Sequence, residues 1–260
     1  MNETLCLLSG LRTIHGDFDT RRIPETDLER ILQVSLRAPN ASNRQSYSVV
    51  IVEDAEVMKQ LTGYVGSHTL IYCVDFNRLR DTARHLGDEL NLRGTPDFVT
   101  AAIDASLVAQ TAAVAARSLG VDALFTNGIH RGDIERIYRL LDLPRNGCFP
   151  LVALVLGYAR NEPTHRRGRL DGAGIIHRGT YRPASAEELD EIISRFDDPE
   201  SRLGVGVPWR EKGFAHYLNW FFQVWSNRAP REPGRTQILR ALERAGLVEA
   251  SASEDTESSC

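Results

Sequence analysis

Three short clusters carry the side chains best suited to hold a charged, polar small molecule. In LRTIHGDF, Arg12, Thr13 and His15 put a guanidinium, a hydroxyl and an imidazole within four positions. Such groups grip a phosphate through charge-assisted hydrogen bonds. In APNASNRQSYSVVIV, residues Asn40, Ser42, Asn43, Arg44 and Gln45 follow Pro39 and lead into a β-branched run. Asn and Gln offer both donors and acceptors, which suits the edge of a polar heterocycle. In THRRGRLDGAG, His165, Arg166, Arg167 and Arg169 stand close together, and two arginines two apart can clamp one phosphate. Each cluster taken alone also fits an ordinary solvated loop or turn.

The elements that must position these clusters follow from periodicity. A helix is predicted from Ile23, with Thr26 and Glu29 at capping-box spacing and Leu28, Ile31, Leu32, Ser35 and Leu36 on one face, ending before Pro39. Tyr47–Val52 reads as a buried strand and 69–74 as a second. Residues 77–96 are charged and aperiodic, and are expected to form an irregular, mobile insertion placed as a lid. The alanine-rich stretch 97–119 reads as a helix that lets a neighbour approach closely, stopped by Gly120. Strands at 121–125 and 151–157 enclose an amphipathic helix at 131–141, and a later helix falls around 186–196. This alternation is that of an α/β or α+β protein. Residues 209–225 set Phe214, Tyr217, Leu218, Phe221, Phe222 and Trp225 at helical spacing, an apolar stripe that must be covered by the chain's own core or by a partner subunit.

The 260 residues suffice for a sizeable core, and 42% hydrophobic with 25% charged residues is ordinary globular composition. A net charge of -4 argues against nucleic acid as the main partner. The four cysteines, Cys6, Cys73, Cys148 and Cys260, lack metal-ligand spacing and read as separate reduced thiols. No apolar run approaching a membrane span is seen, nor a secretory leader, so no membrane association is expected and the cytoplasm is the default compartment. Residues 1–246 are expected to form one domain with an aromatic extension at 206–246, and 247–260 a disordered acidic tail.

In order and separation the clusters resemble the FMN-binding nitroreductase family over most of residues 11–181. That family opens on Arg-x-Ser-x-Arg/Lys-x-Phe, enters a strand through Pro-Ser-x-x-Asn-x-Gln-Pro-Trp, carries a Gly-Leu-Gly strand under the flavin, and follows its last core strand with Lys/Arg-x-Arg-Leu. Here these positions read Arg12 to Phe18, PNASNRQSY, LGVDALFTNGI and RGRL. Ser46-Tyr47 replaces Pro-Trp, and Asn127 stands where many members carry an acidic residue.

The resemblance implies an α+β three-layer sandwich, a mixed but mainly antiparallel sheet flanked by helices, in an interlocked homodimer whose site both subunits complete. It also implies that Arg12, Arg167 and Arg169, with Thr13 and His15 nearby, hold the FMN phosphate. Pro39, Asn40, Ala41 and Ser42 would line the ring and ribityl side, Asn43 and Gln45 would bond ribityl and ring atoms, and Thr126, Asn127 and Gly128 would lie near flavin N5. The implied activity is an FMN-dependent oxidoreductase moving hydride from NAD(P)H to a small organic acceptor (nitro, quinone, enone or related) in alternating half-reactions, with no protein acid or base assigned. The alternative is a non-catalytic protein that binds, senses or stores flavin.

Overall fold

The four β-branched and aliphatic runs become four strands, β1 Tyr47–Val52, β2 His68–Asp75, β3 Asp122–Thr126 and β4 Cys148–Gly157. In this computed structural model, which describes residues 2–163, 166–172, 174–204, 206–227 and 234–249, they form one sheet in the order β1-β2-β4-β3. Every neighbouring pair is antiparallel, so the mixed sheet expected above is purely antiparallel among the described residues. The central strand β2 is buried almost throughout. The expectation of a buried β1 is corrected: β1 is an edge strand, and Ile51 remains 42% exposed.

Two layers of helix cover the sheet. On one face, α2 (Glu25–Ser35) and α5 (Thr95–Ser118) pack Leu28, Ile31, Ala105, Val108, Ala109 and Ala112 against Tyr47, Leu70, Tyr72, Leu154 and Leu156. Alanine on the inner side of α5 lets its backbone lie close to the strands. On the other face, α3 (Ala55–Thr62) and α6 (Ile134–Leu140) bring Met58, Leu61 and Ile137 onto Val52, Ile71 and Cys73. This is the α+β three-layer sandwich.

Several local expectations change. The Thr26 capping box does not form, because Pro24 starts the helix earlier: its carbonyl accepts from Asp27 and Leu28, which places Thr26 inside the first turn. Leu36 lies beyond the last helical residue and is exposed. Residues 77–96 are not irregular throughout, since α4 (Asn77–Leu86) forms there, started by Asp75 accepting from the Asn77 N–H at 2.9 Å and ended by Gly87 in the left-handed region at φ 80°. The helix fully buries none of its residues, and of its apolar side chains Leu79 packs partly against the core while Leu86 stays exposed. Cys73 and Cys148 are not separate: they face the same side of adjacent strands, and the hydrogen bond between them together with burial pushes the Cys73 thiol up.

One described helix, α5, is long and apolar enough by length and composition alone to cross a membrane, a test that the core helix of a globular protein also passes. Its inner side is instead the centre of the globular core, and two aspartates, Asp97 and Asp104, are buried on it.

The chain divides into two compact units, residues Met1–Asn161 with Glu232–Cys260, and Glu162–Arg231. The first includes α1 (Glu3–Ser9) and α9 (Gly234–Arg244). Ala241, Ala245 and Leu247 are buried with Ile134 and Tyr138, and Glu249 accepts a hydrogen bond from Thr95, so ordered chain continues past 246. The acidic stretch 250–260, with Cys260, lies outside the described residues.

In the second unit, α7 (Ala186–Asp197) begins on a formed capping box between Ser185 and Glu188. The single amphipathic helix expected over 209–225 is broken at Gly213 (φ 80°) and reduced to α8 (Tyr217–Trp220), which runs into a π-helical turn, Phe221–Ser226. Trp209, Tyr217 and Trp220 form a small core with Phe196, Phe214, Leu218 and Phe221, while Phe222 and Trp225 stay exposed.

Candidate functional site

The segment entering β1 holds three of the five non-glycine residues at positive φ among the described residues. Ser42, Asn43 and Gln45, none of them glycine, have φ of 53°, 53° and 52°. Left-handed backbone at non-glycine residues costs energy and persists only where surrounding structure over-determines it. Here the restraints are visible. Asn40 Oδ1 accepts from the Gln45 N–H at 3.2 Å, Asp104 Oδ1 accepts from the Ala41 N–H at 3.0 Å, and Arg78 donates to the Gln45 carbonyl at 2.5 Å. Arg44 reaches Asp97 Oδ1 at 3.1 Å, and Asp97 also accepts from the Arg93 N–H at 2.7 Å and from the Arg93 guanidinium at 2.9 Å. The Arg93 hydrogen bonds, outweighing burial and joined by Arg44, hold the Asp97 carboxyl well below the usual carboxylate range.

The loop so held presents amides and a hydroxyl. Gln45 Nε2 donates to Asn43 Oδ1 at 3.3 Å at an exposed position, and the Ser42 hydroxyl makes no hydrogen bond among the described residues. Behind the loop, the buried Ser46 Oγ, Arg44 Nε and Tyr47 hydroxyl have no partner among the described residues. Burial, and then the charge of Asp104, pushes the Tyr47 hydroxyl up.

Arg12 lies elsewhere. Its Nε and Nη2 meet the carboxylate of Asp122 at 3.0 and 3.2 Å, and Arg117 Nη1 meets the same carboxylate at 2.9 Å. The Asp122 carboxylate also accepts from the Ala159 N–H at 3.1 Å, so this one side chain ties Arg12, Arg117 and the chain just after β4 together. His15 and Thr13 beside it are exposed, while Ile14 between them is buried against Leu124 and Val155.

Asp122 begins β3, whereas the 40–45 loop precedes β1 at the opposite edge and the opposite end of the sheet. Strand spacing and rise separate them by roughly 14 Å across and 25–30 Å along the sheet. Within one chain the structure therefore does not bring Arg12 and the loop together.

The turn after β3 carries Thr126, Asn127 and Gly128. The Gly128 N–H donates to Thr126 Oγ1 at 3.0 Å, and a Cβ on Gly128 would stand 2.5 Å from the Thr62 carbonyl oxygen. Gly128 thus has a packing reason of its own. In the second unit, Arg167 donates to the Gly204 carbonyl at 2.6 Å and lines a cavity of about 310 Å³ with Trp209, Arg210 and Tyr217. Arg169 donates to the Gly168 carbonyl at 2.8 Å. His165 lies outside the described residues.

The sequence profile of the nitroreductase family matches residues 10–85, which span Arg12, the 40–45 loop and β1. An FMN reductase [NAD(P)H] of Bacillus subtilis is 29% identical over 77% of this chain and 82% of its own length. Over residues 10–85 the chain is thus similar to the nitroreductase family. An NADPH-dependent oxidoreductase of Staphylococcus aureus is 24% identical over 89% of this chain and 93% of its own. Two solved structures share the family fold. Nitroreductase A of Vibrio parahaemolyticus superposes with a TM-score of 0.77 at 22% identity, covering 96% of this chain and all of that one. The NADPH:FMN oxidoreductase of Vibrio harveyi, complexed with NAD+, does so with a TM-score of 0.76 at 20% identity and 96% coverage of this chain.

Sequence reasoning missed Asp97, Asp104 and Asp122, the carboxylates that fix the loop and Arg12. A signal existed for the first two: aspartates seven apart in an alanine-rich helix share one face, and that face is the buried one.

Proposed function

We propose that this protein belongs to the nitroreductase family and is an FMN-dependent oxidoreductase that takes hydride from NAD(P)H and delivers it to a small organic acceptor in two half-reactions sharing one site. The observation that carries the reading is the strained loop at 41–45, where local backbone cost is retained to hold polar groups in one arrangement. Its unpartnered buried Arg44 Nε and Ser46 Oγ and its exposed amides fit a ligand with a polar ring system. Such relatives as the B. subtilis FMN reductase support the same reading.

In this reading Arg12, Arg167 and Arg169, with Thr13 and His15, hold the phosphate. Pro39, Asn40, Ala41 and Ser42 line the ring and ribityl side, Asn43 and Gln45 bond ribityl and ring atoms, and Thr126, Asn127 and Gly128 border the ring near N5. FMN, when bound, supplies the acceptance and return of hydride; the protein supplies position and electrostatics.

The reading includes a homodimer. Arg12 and the 40–45 loop stand at opposite corners of the sheet of one chain, so a site using both is completed by a second copy. An apolar stripe on α5, with Val99, Ile103 and Leu107 at 50%, 55% and 39% exposure, supplies a surface for that copy.

The test is the visible spectrum of the purified protein after FMN addition, its molar mass by light scattering, and steady-state NAD(P)H oxidation with a quinone. One FMN per subunit, a dimer and turnover are expected. A colourless monomer that takes up no FMN overturns the proposal, and retained flavin without turnover establishes a flavin-storage or sensing protein instead.

A further inference from the structure

The two aspartates buried on α5 both point to the loop entering β1. Asp97 and Asp104 are 2% and 3% exposed and two helical turns apart, on the face of α5 turned inward. Asp104 Oδ1 accepts from the Ala41 N–H, and Asp97 Oδ1 accepts from Arg44. Between these two attachment points lie Ser42 and Asn43, both at positive φ. A buried carboxylate is costly unless hydrogen-bonded, and a buried backbone N–H is equally costly unless accepted. Each attachment therefore meets a need on both sides: relaxing the loop to ordinary backbone would cost the buried Asp104 its one hydrogen bond and leave Asp97 with Arg93 alone. The second oxygen of Asp104 has no partner among the described residues, so Ala41 is the group that justifies its burial.

We propose that Asp104, seconded by Asp97 through Arg44, is a positioning residue that sets the 41–45 loop in its flavin-holding shape before any ligand arrives. The inference rests on the FMN reading above. Asp104 touches no ligand in this role; it acts through Ala41. Binding to a pre-set loop avoids the entropy of ordering it, so the loss of the latch is read as weaker FMN binding and a looser loop in the apo protein.

The experiment compares wild type, Asp104→Ala, Asp104→Asn and Arg44→Met by hydrogen exchange of the apo proteins and by FMN titration. In Asp104→Ala, exchange across residues 41–45 should quicken at least tenfold while the amides of β2 and β4 keep wild-type protection. FMN affinity should fall at least tenfold. Asp104→Asn keeps an acceptor for the Ala41 N–H and should restore affinity to within about threefold. Arg44→Met, which leaves α5 intact, should loosen the same residues to a smaller degree.

Unchanged exchange at 41–45 in Asp104→Ala, or unchanged FMN affinity where wild type binds FMN, overturns the proposal. If Asp104→Ala does not fold, Asp104→Asn and Arg44→Met decide: wild-type loop exchange in Arg44→Met then counts against it. If wild type binds no FMN, the cofactor reading fails, and loop exchange alone judges the latch.

Discussion

In the sheet-bearing unit, the strands pair along continuous antiparallel ladders and one helix, α5, spans the core. The unit Glu162–Arg231 has no strand among its described residues and is organised around one carboxylate and a few rings. Asp197 accepts from the Tyr217 N–H at 2.7 Å and pairs with His216 Nδ1 at 2.6 Å, while the Phe196 and Tyr217 rings stack 5.7 Å apart. Arg210 lies over Trp209 at 4.3 Å to the ring centroid. Backbone pairing spreads load over many equivalent bonds. A small aromatic cluster concentrates it in single side chains, so the two units should fail differently when one side chain is removed.

The largest effect is expected at Trp220, which is 4% exposed in the aromatic cluster. Trp220→Ala should cost about 3–5 kcal/mol, confined to its unit. Pulsed proteolysis should then cut within 162–231 while the sheet-bearing unit survives; simultaneous loss of both would erase the contrast.

Leu154→Ala is the counterpart in the sheet, where Leu154 is 0% exposed in the main core. A loss of about 2–5 kcal/mol should appear as a lower urea midpoint with one cooperative transition of the sheet-bearing unit. A local effect on β4 alone would show that the ladder does not spread the load.

Asp97→Asn sharpens the contrast through pH. Arg93 and Arg44 lower the folded Asp97 pKa, so its stabilisation is fully present above the unfolded value of about 3.9 and disappears as pH falls through the folded one. The variant should be about 1–3 kcal/mol less stable than wild type at pH 5–8. The gap should begin to narrow only below about pH 4 and close as pH falls through the lowered folded value, and a gap that does not narrow at all in acid would remove the ionic origin of the effect.

The smallest effect belongs to the exposed pair Arg84–Asp81 on α4, at 2.9 Å with 72% and 69% side-chain exposure. Arg84→Ala should change stability by less than about 0.5 kcal/mol. A larger change by thermal melting would mean that α4 carries more of the fold than its exposed surface indicates.

Much of this was legible in the residues themselves. β1 was bounded correctly because β-branched side chains at 49–52 prefer extended backbone, and α5 because alanine runs and a following glycine state both its body and its stop. The order of the polar clusters pointed to the family, since Arg12 and PNASNRQSY stand in the profile-matched segment. α4 was missed because its apolar stripe is short, only Leu79, Ala83 and Leu86 at helical spacing among many polar and charged residues. The aromatic stretch was read as one helix because spacing cannot show that Gly213 turns the chain.

What the sequence by itself determined is the inventory: which segments bury apolar surface, where helices and strands stop, and which polar groups are gathered by chain neighbourhood. Only the tertiary structure decided the pairings between distant segments. Asp122 stands 110 residues from Arg12, and Asp104 stands 63 from Ala41. No local preference of those residues specifies such a match, because a buried carboxylate is satisfied by whichever donors the packing of sheet and helix delivers to it.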